Sequence, residues 1–302
     1  MMRKMVMVMF GILILSSFAS AGFFDWFGNI TGKATSDTTT LTITVGNNAP
    51  VISGIQTISA QAPTELGVKN IVFNFNVTDA DGVGNIDDTS ASVSFERGGE
   101  VTRVNNSCIW VSDHAPNTAQ YSCSVGLWYF DGSGAWTINV SAEDINGARA
   151  LNASTTFTYN QLTSMVMSPT AMTWNTLSLS DVNVGSTNDP IVVNNTGNDV
   201  NLGINVTALN LQGVTTGSEY IYANNFSIGV ASEGCAGTIM TNSVAVGVGS
   251  AVLQKGNNSL NAGNDTSGQE QIFFCLKGLP QGISAQDYSS AGIGPWTIQV
   301  VT

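Results

Sequence analysis

The stretch Gly134-Ala135-Trp136-Thr137-Ile138-Asn139-Val140 recurs 160 residues later as Gly294-Pro295-Trp296-Thr297-Ile298-Gln299-Val300. In both copies Trp, Ile and Val fall at every second position, which is the spacing of side chains on one face of a β-strand. A buried Trp side chain removes about 150–250 Å² from water, and a preceding glycine permits the turn that leads into such a strand. The repeat therefore predicts one core strand used in two similar β-structures, and not a binding site used twice.

The same alternation appears along much of the chain. In the first half, apolar residues alternate with polar ones in four further rows: Leu41, Ile43 and Val45; Ile71, Phe73, Phe75 and Val77; Ala91, Val93 and Phe95; and Leu151, Ala153, Thr155 and Phe157. In the second half the pattern covers residues 200–206 and 272–276. Turn residues such as those at 79–82 separate the rows, and no amphipathic helix longer than two turns is evident.

Six to eight strands in about 115 residues is the size of an immunoglobulin-like sandwich. We therefore expect an all-β protein with two tandem immunoglobulin-like β-sandwich domains after a cleaved signal peptide. The first domain would span residues 39–160 and the second residues 161–302, joined near residues 160–164.

The first 21 residues have the layout of a secretory signal peptide. Arg3 and Lys4 precede an apolar run at residues 5–15, and small residues follow at 19–21. The run is shorter than the ~20 residues that span a bilayer, so we expect cleavage; the alternative is a retained membrane anchor. Residues 22–38 would form a leader linker whose aromatic residues either pack on the first domain or contact a membrane interface or an assembly partner: Phe23, Phe24, Trp26 and Phe27.

Composition and charge narrow the class of protein. Charged residues make up 10% of the chain, against a usual ~25%. Removal of residues 1–21 takes away two of nine basic residues and no acid, which leaves seven basic against 21 acidic residues, a net charge of −14. This balance argues against binding to nucleic acid, which needs clustered Lys and Arg. It is compatible with divalent cations and with solubility outside the cell.

Four cysteines follow the predicted signal peptide: Cys108, Cys123, Cys235 and Cys275. An even number in a secreted chain predicts disulfides. Three connectivities exist, and the local one, Cys108–Cys123 with Cys235–Cys275, would place one bridge in each half. No Cys-x-x-Cys spacing occurs, so zinc binding and thioredoxin-like chemistry are not expected.

The densest acidic stretch begins Asp79-Ala80-Asp81-Gly82 and continues to Asp87. Calcium takes six to eight oxygen ligands, but the twelfth position counted from Asp79 is Ser90, so the EF-hand glutamate is missing. The stretch predicts either an Asp-rich β-turn or a structural calcium site with Asp79, Asp81 and Asp87 as ligands. No other cofactor is expected.

Catalytic motifs are missing from the sequence. His114 is the only histidine, and neither a Gly-x-Ser-x-Gly elbow nor a His-Glu-x-x-His motif occurs. We therefore expect no catalytic residues and no enzymatic activity; a secreted hydrolase with paired carboxylates is a weaker alternative. Exposed, coplanar aromatic side chains at Trp110, Trp128 and Tyr129 would instead indicate a carbohydrate-binding module, and core packing is the ordinary interpretation of them.

Ten Asn-x-Ser/Thr sequons make N-glycosylation a further expectation for a secreted chain. Their asparagines are Asn29, Asn76, Asn105, Asn139, Asn152, Asn194, Asn205, Asn225, Asn257 and Asn264.

Three stretches together resemble an immunoglobulin/fibronectin-III-type module of prokaryotic surface proteins: Asn48-Ala49-Pro50-Val51-Ile52, residues 77–82 and residues 134–147. The leader Asn29-Ile30-Thr31-Gly32-Lys33-Ala34, followed by a Thr-rich strand, resembles archaeal secreted proteins of this type. The resemblance implies adhesive, envelope or filament roles and brings no catalytic residues. Cys108 and Cys123 both precede Trp136, which departs from the antibody pattern and implies a local loop staple.

These observations lead to a functional expectation. The chain would be a secreted cell-surface structural or adhesive protein whose partners are other envelope or surface proteins, or glycans. It would contact a membrane only through the signal peptide or the aromatic leader. The alternatives are a carbohydrate-binding module and a filament subunit. In the filament, residues 39–45 of one copy would complete the second domain of another copy, because the second Trp-Thr-Ile strand is not followed by a further strand as the first is.

Overall fold

The computed structural model describes residues 39–232, 234–256 and 266–302 of the chain. The predicted signal peptide and leader linker lie outside the described residues. The chain divides into two compact units, residues 1–46 and residues 47–302. In the described part of the first unit no strand is formed, and Leu41, Ile43 and Val45 are 84%, 76% and 83% exposed. The half-buried strand predicted at these three residues is therefore not formed in the single chain.

The second unit is all-β, and no α-helix occurs among its described residues. Its first half contains eight strands: β1 (Val51–Ser53), β2 (Val68–Thr78), β3 (Ser92–Glu96), β4 (Arg103–Asn105), β5 (Ile109–Ala115), β6 (Thr118–Trp128), β7 (Gly134–Glu143) and β8 (Arg149–Tyr159). They form two sheets in the orders β1-β2-β6-β5 and β4-β3-β7-β8, with antiparallel neighbours throughout. The sheets enclose one apolar core, in which Phe73, Phe95 and Trp136 are fully buried.

The second half contains twelve shorter strands in the described residues: β9 (Met165–Ser168), β10 (Val184–Gly185), β11 (Ile191–Asn195), β12 (Gly203–Thr207), β13 (Leu211–Gly213), β14 (Tyr220–Ile221), β15 (Phe226–Gly229), β16 (Thr238–Ile239), β17 (Ala245–Gly247), β18 (Gln269–Leu276), β19 (Tyr288–Ser289) and β20 (Thr297–Val301). One sheet has the order β16-β15-β18-β11-β9, with β10 also paired to β18, and two smaller sheets have the orders β17-β12-β20 and β14-β13-β19. A second core includes Ile204, Phe226 and Phe274.

The repeated Trp-Thr-Ile stretch leads into a strand in both halves: Trp136 lies within β7, and Trp296 directly precedes β20. Trp136 and Trp296 each follow a glycine with positive φ, +123° at Gly134 and +153° at Gly294, where a side chain would be strained. Each indole nitrogen donates a hydrogen bond to a backbone carbonyl, at 2.9 Å for Trp136 and 2.8 Å for Trp296. The repeat is therefore an architectural element.

The β8 row differs from the prediction. Leu151, expected to face the core, is 69% exposed, whereas Ala150 is buried. Ile138 pairs with Thr155 and Val140 with Asn152, so β8 carries one extra residue between these pairs. Such a bulge exchanges the two faces of the strand, and the row that buries Phe157 cannot continue through to Leu151.

Hydrogen bonds join the two halves within the second unit. The Asn198 side-chain nitrogen donates to the backbone oxygens of Asp131, at 2.9 Å, and Asn160, at 3.0 Å. The Glu65 carboxylate accepts hydrogen bonds from Ser164 and Thr196, and these two bonds lower its pKa. No helix of the described residues is both long enough and apolar enough to cross a membrane.

Candidate functional site

A groove of about 1100 Å³, with a mixed lining of apolar and polar side chains, opens on the second half. Side chains from three sheets line it, including Met167, Leu211, Phe226, Phe274, Trp296 and Ile298. Trp296 packs edge-on against Phe226, with 5.2 Å between ring centroids. Of the described residues that line the groove, Asp287 is the one Asp, Glu, Lys, Arg or His. The groove therefore offers apolar contact and little that would bind a charged small molecule.

Two end strands border the groove. β9 ends the five-strand path of the larger sheet, and β20 ends the β17-β12-β20 sheet, each with one paired neighbour among the described residues. Met167 of β9 and Ile298 of β20 both line the groove. An end strand has backbone N–H and C=O groups free to pair with a further strand, so apolar side chains and an open backbone edge occur at one place.

A polar network holds the rim of the groove. The Glu219 carboxylate accepts hydrogen bonds from the Tyr288 hydroxyl at 2.7 Å, the Ser284 backbone N–H at 2.8 Å and the Gln286 side-chain nitrogen at 2.9 Å. These bonds, the Tyr288 bond foremost, lower the pKa of Glu219 to about 2. Ser284, Gln286 and Tyr288 also line the groove, so an ionised Glu219 fixes one of its walls.

The predicted calcium residues make separate contacts instead of a common site. Asp79 accepts the Asp81 backbone N–H at 2.8 Å, the Asp81 carboxylate accepts Asn48, and Asp87 accepts Thr89. The first contact lies within a turn at residues 79–82, where Gly82 has φ +106°, and the second joins Asn48 to that turn. Within the described ranges, no group of three or more His, Cys, Asp or Glu residues is placed to hold a metal ion. The geometry fits the Asp-rich turn and gives the calcium prediction no support.

Both cysteine pairs are bonded locally. Cys108 is joined to Cys123 across 15 residues, and Cys235 to Cys275 across 40. Cys123 lies in β6 and Cys275 in β18, so each bridge ties a central strand of its half to a neighbouring segment. Neither bridge lies in the lining of the groove.

The aromatic residues considered for glycan binding do not share an exposed face. Tyr129 is buried against Phe130, and Trp128 stacks on the same ring at 5.8 Å. Trp110 is 46% exposed and donates a hydrogen bond to Asp113. His114 is exposed on β5, outside the groove lining.

Seven of the ten sequon asparagines lie in the described residues, and each is half-buried: Asn76, Asn105, Asn139, Asn152, Asn194, Asn205 and Asn225. Asn29, Asn257 and Asn264 lie outside the described residues. The side-chain nitrogens of Asn105, Asn152 and Asn225 donate to backbone carbonyls. Glycosylation stays a prediction for all ten.

The groove was not evident from the sequence. Its walls include residues 170–177 and 283–291, which lack the period-two alternation that marks strands. Apolar residues such as Met172, Trp174 and Ile283 are the one available signal there, because loops with large apolar side chains usually cover or border a core.

Comparison of the chain with models of known protein families and with curated proteins found no match.

Proposed function

We propose that the chain is a secreted structural protein of the cell surface, which acts through contacts of its β-sheet surfaces and not through catalysis. The observation that carries the proposal is the groove beside the end strand β20, with its row of large apolar side chains. Apolar patches bordered by an open strand edge fit protein segments, which supply both apolar side chains and backbone hydrogen bonds. The two disulfides support an oxidising compartment outside the cytosol.

The proposal includes two tandem immunoglobulin-like domains, at residues 39–160 and 161–302. The sheet order β1-β2-β6-β5 corresponds to the A-B-E-D sheet of an immunoglobulin fold, and β3-β7-β8 corresponds to C-F-G. The separate cores of the two halves support the same division.

No specific observation favours the two alternatives of another class. A hydrolase with paired carboxylates needs two close acids in a cleft, and the groove lining holds Asp287 as its one acid among the described residues. A carbohydrate-binding face needs exposed, coplanar rings, and Tyr129 is buried.

Fractionation of the native cells tests the proposal. Medium, envelope and cytosol are separated, and the protein is detected by antibody and treated with a thiol-alkylating reagent before and after reduction. We expect the protein in the envelope or medium, with all four cysteines unreactive until reduction. A cytosolic protein with alkylated cysteines would overturn the proposal.

A further inference from the structure

We propose that residues 39–45 of one copy pair as an added strand with β20 of a second copy and cover its groove, so that copies join head to tail. The inference rests on the proposed surface role and deepens it, since it names the partner as another copy of this chain.

The acceptor side follows from a comparison of the two halves. β7 and β20 pair with β3 and β12 in the same register: Ile138 lies opposite Phe95, and Ile298 opposite Val206. On its other side β7 pairs with β8, whereas no described residue pairs with the corresponding side of β20. Among the described residues, β20 therefore has no counterpart of β8 beside it.

The core-facing row at the unpaired side of β20 is less buried than the corresponding row of β7. Trp136, Ile138 and Val140 are all fully buried. Their counterparts Trp296, Ile298 and Val300 are half-buried and pack at the margin of the second core. A strand added beside β20 would cover this row, as β8 covers the row in β7.

The donor side follows from residues 39–45, Thr-Thr-Leu-Thr-Ile-Thr-Val. Leu41, Ile43 and Val45 would share one face of a strand and the threonines the other. Thr, Ile and Val favour strands, and the segment has neither charge nor proline. Seven residues extend about 23 Å, enough to cover the five residues of β20. The three apolar side chains are exposed in the single chain.

The pattern of the donor matches the strand it would imitate. In β8, Phe157 and Tyr159 are buried, while Thr156 and Thr158 between and beside them are exposed. Because β8 runs antiparallel to β7, we expect the donated segment to run antiparallel to β20. Donor and acceptor are different segments of the same chain, so the contact is heterologous and generates open chains of copies.

The first test compares two double variants of the full chain, with residues 1–38 encoded intact, by light scattering and electron microscopy. L41D/I43D places charges on the inward face of the donor, and T42D/T44D places the same charges on the outward face. We expect wild type and T42D/T44D to form chains of copies and L41D/I43D to stay monomeric. A monomeric wild type at all concentrations, or identical behaviour of the two double variants, would overturn the proposal.

The second test uses a synthetic peptide of residues 39–46 and the L41D/I43D protein, whose acceptor is unaltered. We expect saturable peptide binding with slower hydrogen exchange at Thr297–Val301, and at least about tenfold weaker binding of a peptide carrying the two aspartates. Equal binding of both peptides, or protection confined to other strands, would refute it. A wild-type chain that is monomeric with β20 already protected would show insertion within one copy and would also refute it.

The outcomes keep the two proposals apart. If the protein is found in the envelope or medium with oxidised cysteines but stays monomeric, the surface role stands and strand donation is refuted. A cytosolic protein with reduced cysteines would refute the surface role, whatever its assembly state.

Discussion

Asp131 accepts hydrogen bonds from three different parts of the protein. Its carboxylate accepts Arg103 Nε at 2.9 Å and the Trp128 backbone N–H at 2.7 Å, and its backbone oxygen accepts Asn198 from the other half. The Asp131 side chain is almost fully buried, so loss of its partner would leave a charge without solvent.

We therefore expect Arg103→Leu to lower the free energy of unfolding by about 3–5 kcal/mol. The matched control is Arg149→Leu, which removes an exposed pair with Glu143 at 3.9 Å and should cost under about 1 kcal/mol. Urea denaturation of both variants measures the difference. Equal losses of unfolding free energy in the two variants would show that the buried Arg103–Asp131 pair contributes no more than the exposed one.

The Glu219 network gives a pH prediction at the same scale. Its pKa is lowered to about 2 from an ordinary 4.5, so its contribution is present above pH 4.5 and is lost as the pH falls through about 2. We expect the side-chain carbon resonance of Glu219 to titrate well below pH 4.5 and to move together with the Tyr288 signals. Glu219→Gln should remove this transition and leave the titration curves of the other carboxylates unchanged. A midpoint near pH 4.5 for Glu219 in the wild type would show that its hydrogen bonds do not lower its pKa.

At the scale of elements, alternation located the strands wherever a sheet buries one face. The rows ending at Val77, Phe95 and Val140 all face the first core as predicted. The alternation predicted the wrong face where a β-bulge interrupts a strand: the bulge in β8 turns Leu151 outward. It also failed at residues 39–45, because a strand needs a partner and the pattern does not state which chain supplies one. The groove walls at residues 283–291 escaped prediction because their one strand, β19, has two residues, too few for a periodic signal.

The two disulfides tie different strands and should contribute unequally to the free energy of unfolding. The bridge between Cys235 and Cys275 closes 40 residues, and the bridge between Cys108 and Cys123 closes 15. In the chain-entropy model these are worth about 4 and about 3 kcal/mol. We expect C235A/C275A to lose more stability than C108A/C123A in urea denaturation followed by circular dichroism. The reverse order would show that native contacts outweigh loop length.

At the scale of the whole molecule, the second unit has two cores, and among the described residues several polar contacts join its halves, those of Asn198, of Glu65 and of Lys255 with Glu100. Asn198 is 3% exposed. Its side-chain oxygen accepts the Leu162 backbone N–H at 2.7 Å, while its nitrogen reaches Asp131 and Asn160. A single amide thus satisfies three backbone groups from the first half and the connection between halves, which couples the two cores.

We expect Asn198→Ala to uncouple the halves, because a buried backbone group left without a partner costs about 1–3 kcal/mol. Hydrogen exchange in increasing urea follows amides of β2 and β18 separately. In wild type the two strands should lose protection at one urea concentration, and in the variant at two. Asn188→Ala is the control: its side chain also donates to a backbone carbonyl, that of Ala171, but at an exposed site. If both variants keep a single transition, Asn198 does not couple the halves, and the coupling lies in their other contacts, such as the Glu65 bonds to Ser164 and Thr196 and the Lys255–Glu100 ion pair.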